Sequence, residues 1–131
     1  MKDIDLAIKQ QLEGVMSTPL ESTQRVGRLS NLGLSYKLRF KRFREMKDND
    51  SSIKLQLEAV SSVPLDSPDR IIILNYLRSS YADRFKFSGD VKDMDLAIKN
   101  HLEVVTSTPV DSPDRSEFLG QLGRSYSARF E

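Results

Sequence analysis

Lys92-Asp93-Met94-Asp95-Leu96-Ala97-Ile98-Lys99 restates Lys2-Asp3-Ile4-Asp5-Leu6-Ala7-Ile8-Lys9 with a single substitution, and a weaker copy opens between them at Lys47-Asp48. Each copy runs on to a proline, Pro19, Pro64 or Pro109, so one pattern recurs at a spacing of about 45 residues. More than half of the positions from Lys2 to Lys41 are identical to their counterparts beginning at Lys92. A fixed period of this size describes a stack of like units, each covering its neighbour, rather than one globular core. The expected function class is a binding or scaffolding surface.

Each copy reads as two helices. Ile4, Ala7, Ile8, Leu12 and Val15 fall at three- and four-residue steps, as do Met94, Ala97, Ile98, Leu102 and Val105, which puts an apolar stripe on one helical face. This is helix B. It begins at paired aspartates, Asp3 and Asp5, Asp48 and Asp50, Asp93 and Asp95, read here as caps for orphan backbone N–H groups and as partners of the helix dipole. It ends near Ser17, Ser62 and Ser107, because chain just before a proline leaves the helical region. Helix A follows a strong start signal, Ser67-Pro68-Asp69 and Ser112-Pro113-Asp114, with serine as N-cap and proline in the first turn. The first copy weakens this to Ser22-Thr23-Gln24. Helix A carries Leu29, Leu32, Tyr36 and Phe40, matched by Leu74, Leu77, Tyr81 and Phe85 and by Leu119, Leu122, Tyr126 and Phe130. Such spacing makes a buried stripe, in which each tyrosine packs its ring and keeps its hydroxyl near a polar partner.

Composition narrows the field. The 131 residues are 38% hydrophobic and 30% charged, and no apolar run approaches the roughly 20 residues a spanning helix needs. Met1-Lys2-Asp3-Ile4-Asp5 lacks the charged-then-apolar plan of a signal peptide, and zero cysteines suits a reducing compartment, so a cytoplasmic protein without a membrane partner is expected. A net charge of +1 argues against a protein built around polyanion binding.

Leu119-Gly120-Gln121-Leu122-Gly123-Arg124-Ser125-Tyr126, with the small-residue step Leu96-Ala97-Ile98 and the closing Pro109, resembles the tetratricopeptide repeat, whose signature places Leu-Gly, Tyr, Ala and Pro in this order. The usual unit is about 34 residues, so these are long variants, with the extra residues between Phe85 and Asp93. The recurring L-x-x-L-G-x-x-Y-x-x-R-F, D-x-D-L-A-I and T-P-x-D-S-P-D-R segments are similar to tetratricopeptide arrays in large fungal proteins that also carry nucleotide-binding or caspase-like domains. The resemblance implies an all-α fold, a right-handed α-solenoid of antiparallel helix pairs with six helices, and an interaction module that binds a protein or peptide. It makes residues 1–131 a single array: a half-repeat over 1–19, repeats over 22–64 and 67–109, and a half-repeat over 112–131. It also implies a concave surface lined by helix A, at Ser30, Leu34 and Lys37, then Asn75, Ser79 and Asp83, then Gly120, Arg124 and Ser127. The lysine and asparagine set with which some members hold a peptide's terminal carboxylate is not reproduced there.

The middle copy departs from the pattern. Arg78 stands where Gly33 and Gly123 permit close helix approach, and Ser52 where Ala7 and Ala97 sit. A long cation at a packing position either loosens the repeat or reaches solvent or a carboxylate such as Asp83. The order B-A-B-A-B-A leaves the first and last helices without their usual partners. Leu119, Leu122 and Phe130 on one and Ile4 and Ile8 on the other are therefore expected to mediate end-to-end self-association.

Catalysis and cofactor binding are not expected. His101, the only histidine, replaces Gln11 and Gln56 of the other copies and reads as a half-buried packing residue with no acid–base partner beside it. The aspartate pairs lack the glycine turn and further donors of a Ca²⁺ loop, so no metal is assigned to them. Gly33 and Gly123 belong to no phosphate-cradling loop. The basic run Lys37, Arg39, Lys41, Arg42, Arg44 and Lys47, interleaved with Phe40 and Phe43, supports an alternative: a solenoid that binds nucleic acid or another polyanion there. A helix C-terminus also favours cations for dipole reasons alone.

Overall fold

A computed structural model describes residues 2–130. It contains six α-helices: α1 (Lys2–Met16), α2 (Arg25–Phe43), α3 (Met46–Ser61), α4 (Pro68–Ser88), α5 (Val91–Ser107) and α6 (Asp114–Phe130). No strand occurs among the described residues, so the fold is all-α. The chain forms two compact units, Met1–Leu65 and Asp66–Glu131, which divide just past Pro64, where the first complete repeat closes. In the first, α2 packs on both α1 and α3; in the second, α5 packs on both α4 and α6.

The local signals act as the sequence indicates. The Ser67 hydroxyl accepts from the Asp69 N–H at 3.2 Å and caps α4 with Pro68 at its first position. Ser112 does the same for the Asp114 N–H and Ser22 for the Gln24 N–H. Helix α4 ends at Gly89, whose φ of 70° lies in the left-handed region, and α2 ends at Arg44 with φ 59°. Glycine adopts this conformation without strain, whereas a side chain costs about 1–2 kcal/mol there. Gly89→Ala is accordingly expected to destabilise the second unit by about 1 kcal/mol, measured as a fall in its urea midpoint.

The helix A stripes are mostly buried where a B helix covers them, with Tyr36 and Phe85 half-buried. Leu29, Leu32 and Phe40 of α2 are at most 1% exposed, and Leu74, Leu77 and Tyr81 of α4 at most 4%. On α6 only Leu122 of the corresponding set is buried, and Leu119, Tyr126 and Phe130 are exposed.

Arginines fasten the helices to one another in a repeated scheme. Arg25 donates to the backbone carbonyls of Val15 and Thr18 at the end of α1, at 3.1 and 3.0 Å, and pairs with Glu58 of α3 at 2.8 Å. Arg115 holds the carbonyls of Val105 and Thr108 in the same way, each at 2.9 Å, and Arg70 pairs with Glu103. At the other end of α2, Arg39 joins Asp5 of α1 to Asp48 of α3, both at 2.9 Å. Arg84–Asp93 and Arg129–Asp95 repeat the two halves of that arrangement. This corrects the capping part of the aspartate reading for α3 and α5, while Asp3, Asp5, Asp48 and Asp93 do stand in first turns, where the helix dipole favours them. The cap of α5 is Asp90, whose carboxylate accepts from the Lys92 N–H, while α3 begins at Glu45 with no side-chain cap. Asp48 and Asp93 lie inside the first turn, buried, and spend their carboxylates on arginines of the preceding helix.

Candidate functional site: a basic pocket between α4, α5 and α6

The same few positions of the repeat are filled in two ways. In the first unit, Gly33 leaves room for Gln56: a Cβ on Gly33 would lie 2.7 Å from the Gln56 Nε2. Gln56 Oε1 accepts from the Ser30 hydroxyl at 3.1 Å, and its Nε2 donates to the Ser30 carbonyl at 3.2 Å. Beside it the Lys37 ammonium donates to Asn49 Oδ1 at 3.1 Å and lies 5.5 Å from the Phe40 ring centre. Gln56, Asn49 and Lys37 are all buried. Buried polar groups are normally paired, and this cluster obeys the rule.

In the second unit the equivalent residues are Asn75, Arg78, Ala82, Met94 and His101. Here Asn75 Oδ1, Arg78 Nε and both ring nitrogens of His101 are buried without a hydrogen-bond partner of normal geometry. Gln121 Oε1 on α6 is in the same condition. Replacing Lys37 by Ala82 and Asn49 by Met94 removes both a long side chain and its acceptor. A wide-open cavity of about 310 Å³ lies beside them, lined by Arg78, Ala82, Lys86, Met94, Gln121, Arg124, Ser125 and Ala128 but not by Asn75 or His101.

The electrostatics of the pocket are set by crowded cations. Burial pushes the Arg78 guanidinium below its ordinary range, the nearby Arg124 adds to the effect, and Asp83 opposes it. His101 is wholly buried, not half-buried as its sequence position suggests. Burial lowers its pKa to about 4, with Arg78 and Arg124 acting in the same direction and the Phe118 backbone against it. The imidazole is therefore neutral at pH 7 and offers one N–H donor and one bare nitrogen. Arg78 takes neither of the simple courses open to it: it is half-buried, feels Asp83 favourably, and retains an unpartnered Nε.

The residues singled out on helix A fall in different settings. Asn75 and Arg124 belong to the second-unit cluster, and Ser79 and Asp83 lie half-buried on the same helix as Arg78. Gly120 and Ser127 are exposed on α6. Ser30 and Lys37 are engaged by Gln56 and Asn49, and Leu34 is half-buried. Of the end residues, Ile8 and Leu122 are buried, Ile4 is half-buried, and Leu119 and Phe130 are exposed. Gln121, Lys86 and Met94 were not expected as site residues, Met94 being read only as part of the helix B stripe. The available signal was the joint change of Gly33, Lys37, Asn49 and Gln56 to Arg78, Ala82, Met94 and His101 within an otherwise similar repeat.

The basic run of α2 does not form one free face. Lys37 is buried on Asn49, Arg39 is held between Asp5 and Asp48, and Lys47 pairs with Glu45 at 3.3 Å. Arg44 stacks 5.6 Å from the Phe40 ring centre. The cavity at that end, of about 350 Å³, is lined by Asp5, Arg39, Phe43, Glu45, Lys47 and Asp48, charges of both signs that largely satisfy each other. No cluster of three or more metal-ligating side chains occurs among the described residues, and no helix there is long and apolar enough to cross a membrane. Comparison with family models, with curated proteins and with solved structures returns no match.

Proposed function

We propose that this chain is a non-catalytic protein-interaction module, a tetratricopeptide-like right-handed solenoid segment of a cytoplasmic scaffold. It binds a peptide or helix on its A helices and associates with a second copy through its end helices. The observation that carries the reading is the face of α6. Leu119, Tyr126 and Phe130 are 47%, 41% and 75% exposed, whereas their counterparts Leu29, Phe40, Leu74 and Tyr81 are buried under B helices and Tyr36 and Phe85 are half-buried. Contiguous exposed apolar residues on one helix mark an interaction surface. Helix α1 offers the complementary type of face, since Ile4, Ala7 and Gln11 are only partly covered where Met94, Ala97 and His101 of α5 are buried. Polyanion binding through the Lys37 to Lys47 run is the weaker reading, because most of those cations already have partners within the first unit.

Light scattering coupled to size exclusion tests the assembly. The mass is expected to climb between micromolar and near-millimolar protein, and Phe130→Asp, at an exposed position, to suppress the climb without unfolding. A constant monomer mass across that range would remove self-association. The peptide-binding part is tested separately, by selecting displayed peptides on the immobilised protein and mapping them through backbone amide shifts. Shifts confined to residues away from α2, α4 and α6 would exclude the A-helix surface.

A further inference from the structure

We infer that the cavity between α4, α5 and α6 is an anion subsite that receives a carboxylate side chain of an acidic peptide, held by Arg78 and Arg124. The inference rests on the reading of the A helices as a peptide-binding surface. Four observations point to it. First, Arg78, on the wall of the cavity, keeps a buried Nε with no acceptor, whereas Lys37 and Gln56 in the corresponding cluster of α2 and α3 are paired. An unmet buried donor is costly, and a ligand acceptor removes that cost. Second, the like charges of Arg78 and Arg124 act on each other across the pocket, with exposed Lys86 also on its wall. An anion between them turns mutual repulsion into two attractions. Third, a volume of about 310 Å³ accommodates a side chain, and Ala82, Met94 and Ala128 give it an apolar lining suited to the methylenes of a glutamate. Fourth, Asp83 already lies near Arg78. Its charge tolerates a monoanion better than a dianionic phosphate, and a planar carboxylate matches the guanidinium fork.

The probes are an acetylated, amidated hexaglutamate peptide, the hexaglutamine control and inorganic phosphate, titrated into the full chain and read by NMR at the Arg78 Nε–Hε and His101 ring signals. Hexaglutamate is expected to shift both signals saturably, and hexaglutamine and phosphate to leave them in place. Arg78→Gln and, separately, Arg124→Gln should each weaken hexaglutamate binding about tenfold or more. Arg124 is exposed, so its replacement reports on the pocket even where the Arg78 variant folds poorly. Lys41→Gln with Arg42→Gln, on the exposed part of the α2 run, should change nothing at the pocket. The inference is overturned if hexaglutamate shifts only the α2 run, if phosphate displaces it at equal concentration, or if Arg124→Gln leaves its affinity unchanged. None of these results touches the wider interaction reading, which stands or falls on the selected peptides and where they map.

Discussion

Replacing Arg39 with alanine is expected to cost the first unit about 3–5 kcal/mol, the largest effect of any single charged side chain here. The reason lies in the partner left behind. The Asp48 side chain is 3% exposed, and both its oxygens are taken by Arg39, from Nε at 3.0 Å and from Nη2 at 2.9 Å. Removing the guanidinium strands a carboxylate in the interior, and the penalty of an unpaired buried charge exceeds the worth of the pair itself. The second arm, to Asp5, contributes little by comparison, because that carboxylate is 59% exposed and solvent screens it. Stacking of Arg39 on Tyr36, 5.5 Å from the ring centre, adds a smaller loss. Adding Asp48→Asn to Arg39→Ala should recover much of the stability by abolishing the charge that has nowhere to go. Native-state hydrogen exchange resolves the effect by unit: α2 and α3 amides lose protection while those of α4 and α5 keep theirs. A loss below about 1 kcal/mol in α2 and α3 would show that water or relaxation reaches Asp48 easily.

The second large expectation concerns acid. His101 has a pKa of about 4 in the folded chain, against about 6.5 in an unfolded one, so folding favours the neutral ring. The unfolded chain therefore binds more protons between those values. The stability held by the neutral ring is fully present above about pH 6.5, is lost progressively as pH falls, and is gone near pH 4, by an amount of about 3 kcal/mol. The charges that face the ring come from two helices, Arg78 of α4 and Arg124 of α6, and both oppose its protonation. Glutamine occupies the equivalent place in the first unit, at Gln56, so His101→Gln keeps a similar shape without the titration. Urea midpoints at pH 7.5 and 4.5 should diverge between the two proteins, with the glutamine variant losing less at acid pH. The carboxylates titrate in both and cancel in the difference. Parallel pH profiles would mean that the imidazole gains solvent on protonation.

Helix number, helix limits and much of each apolar stripe were legible in the chain because they are local, although Leu12, Leu102, Leu119, Tyr126 and Phe130 of those stripes stand exposed. Three-and-four spacing, a serine before a proline and a proline after a serine act within a few residues, and α4, α5 and α6 begin and end close to where those signals stand. The aspartates at the starts of α3 and α5 serve arginines rather than capping for a physical reason. A carboxylate in the first turn of a helix satisfies the capping argument whatever faces it, and only packing shows that Arg39 and Arg84 arrive from the preceding helix. The clue was in the repeat itself: Arg39, Arg84 and Arg129 recur with the aspartates they meet. Burial of His101 is likewise decided by packing. Its glutamine counterparts suggested a shared half-buried setting, yet Gln11 is partly exposed on the uncovered α1, whereas Gln56 and His101 are sealed under a helix A.

By itself the sequence determined that this protein is built from repeated helix pairs, where each helix stops, and which residues seek the interior, because propensity, capping and periodicity are properties of short stretches of chain. Tertiary structure alone decided which polar residues meet. One set, Ser30, Gln56, Lys37 and Asn49, closes on itself, and its counterpart around Arg78 and His101 does not. The physical reason is that hydrogen bonding and desolvation depend on atoms brought within about 3 Å of each other by different helices, a distance that no periodicity encodes.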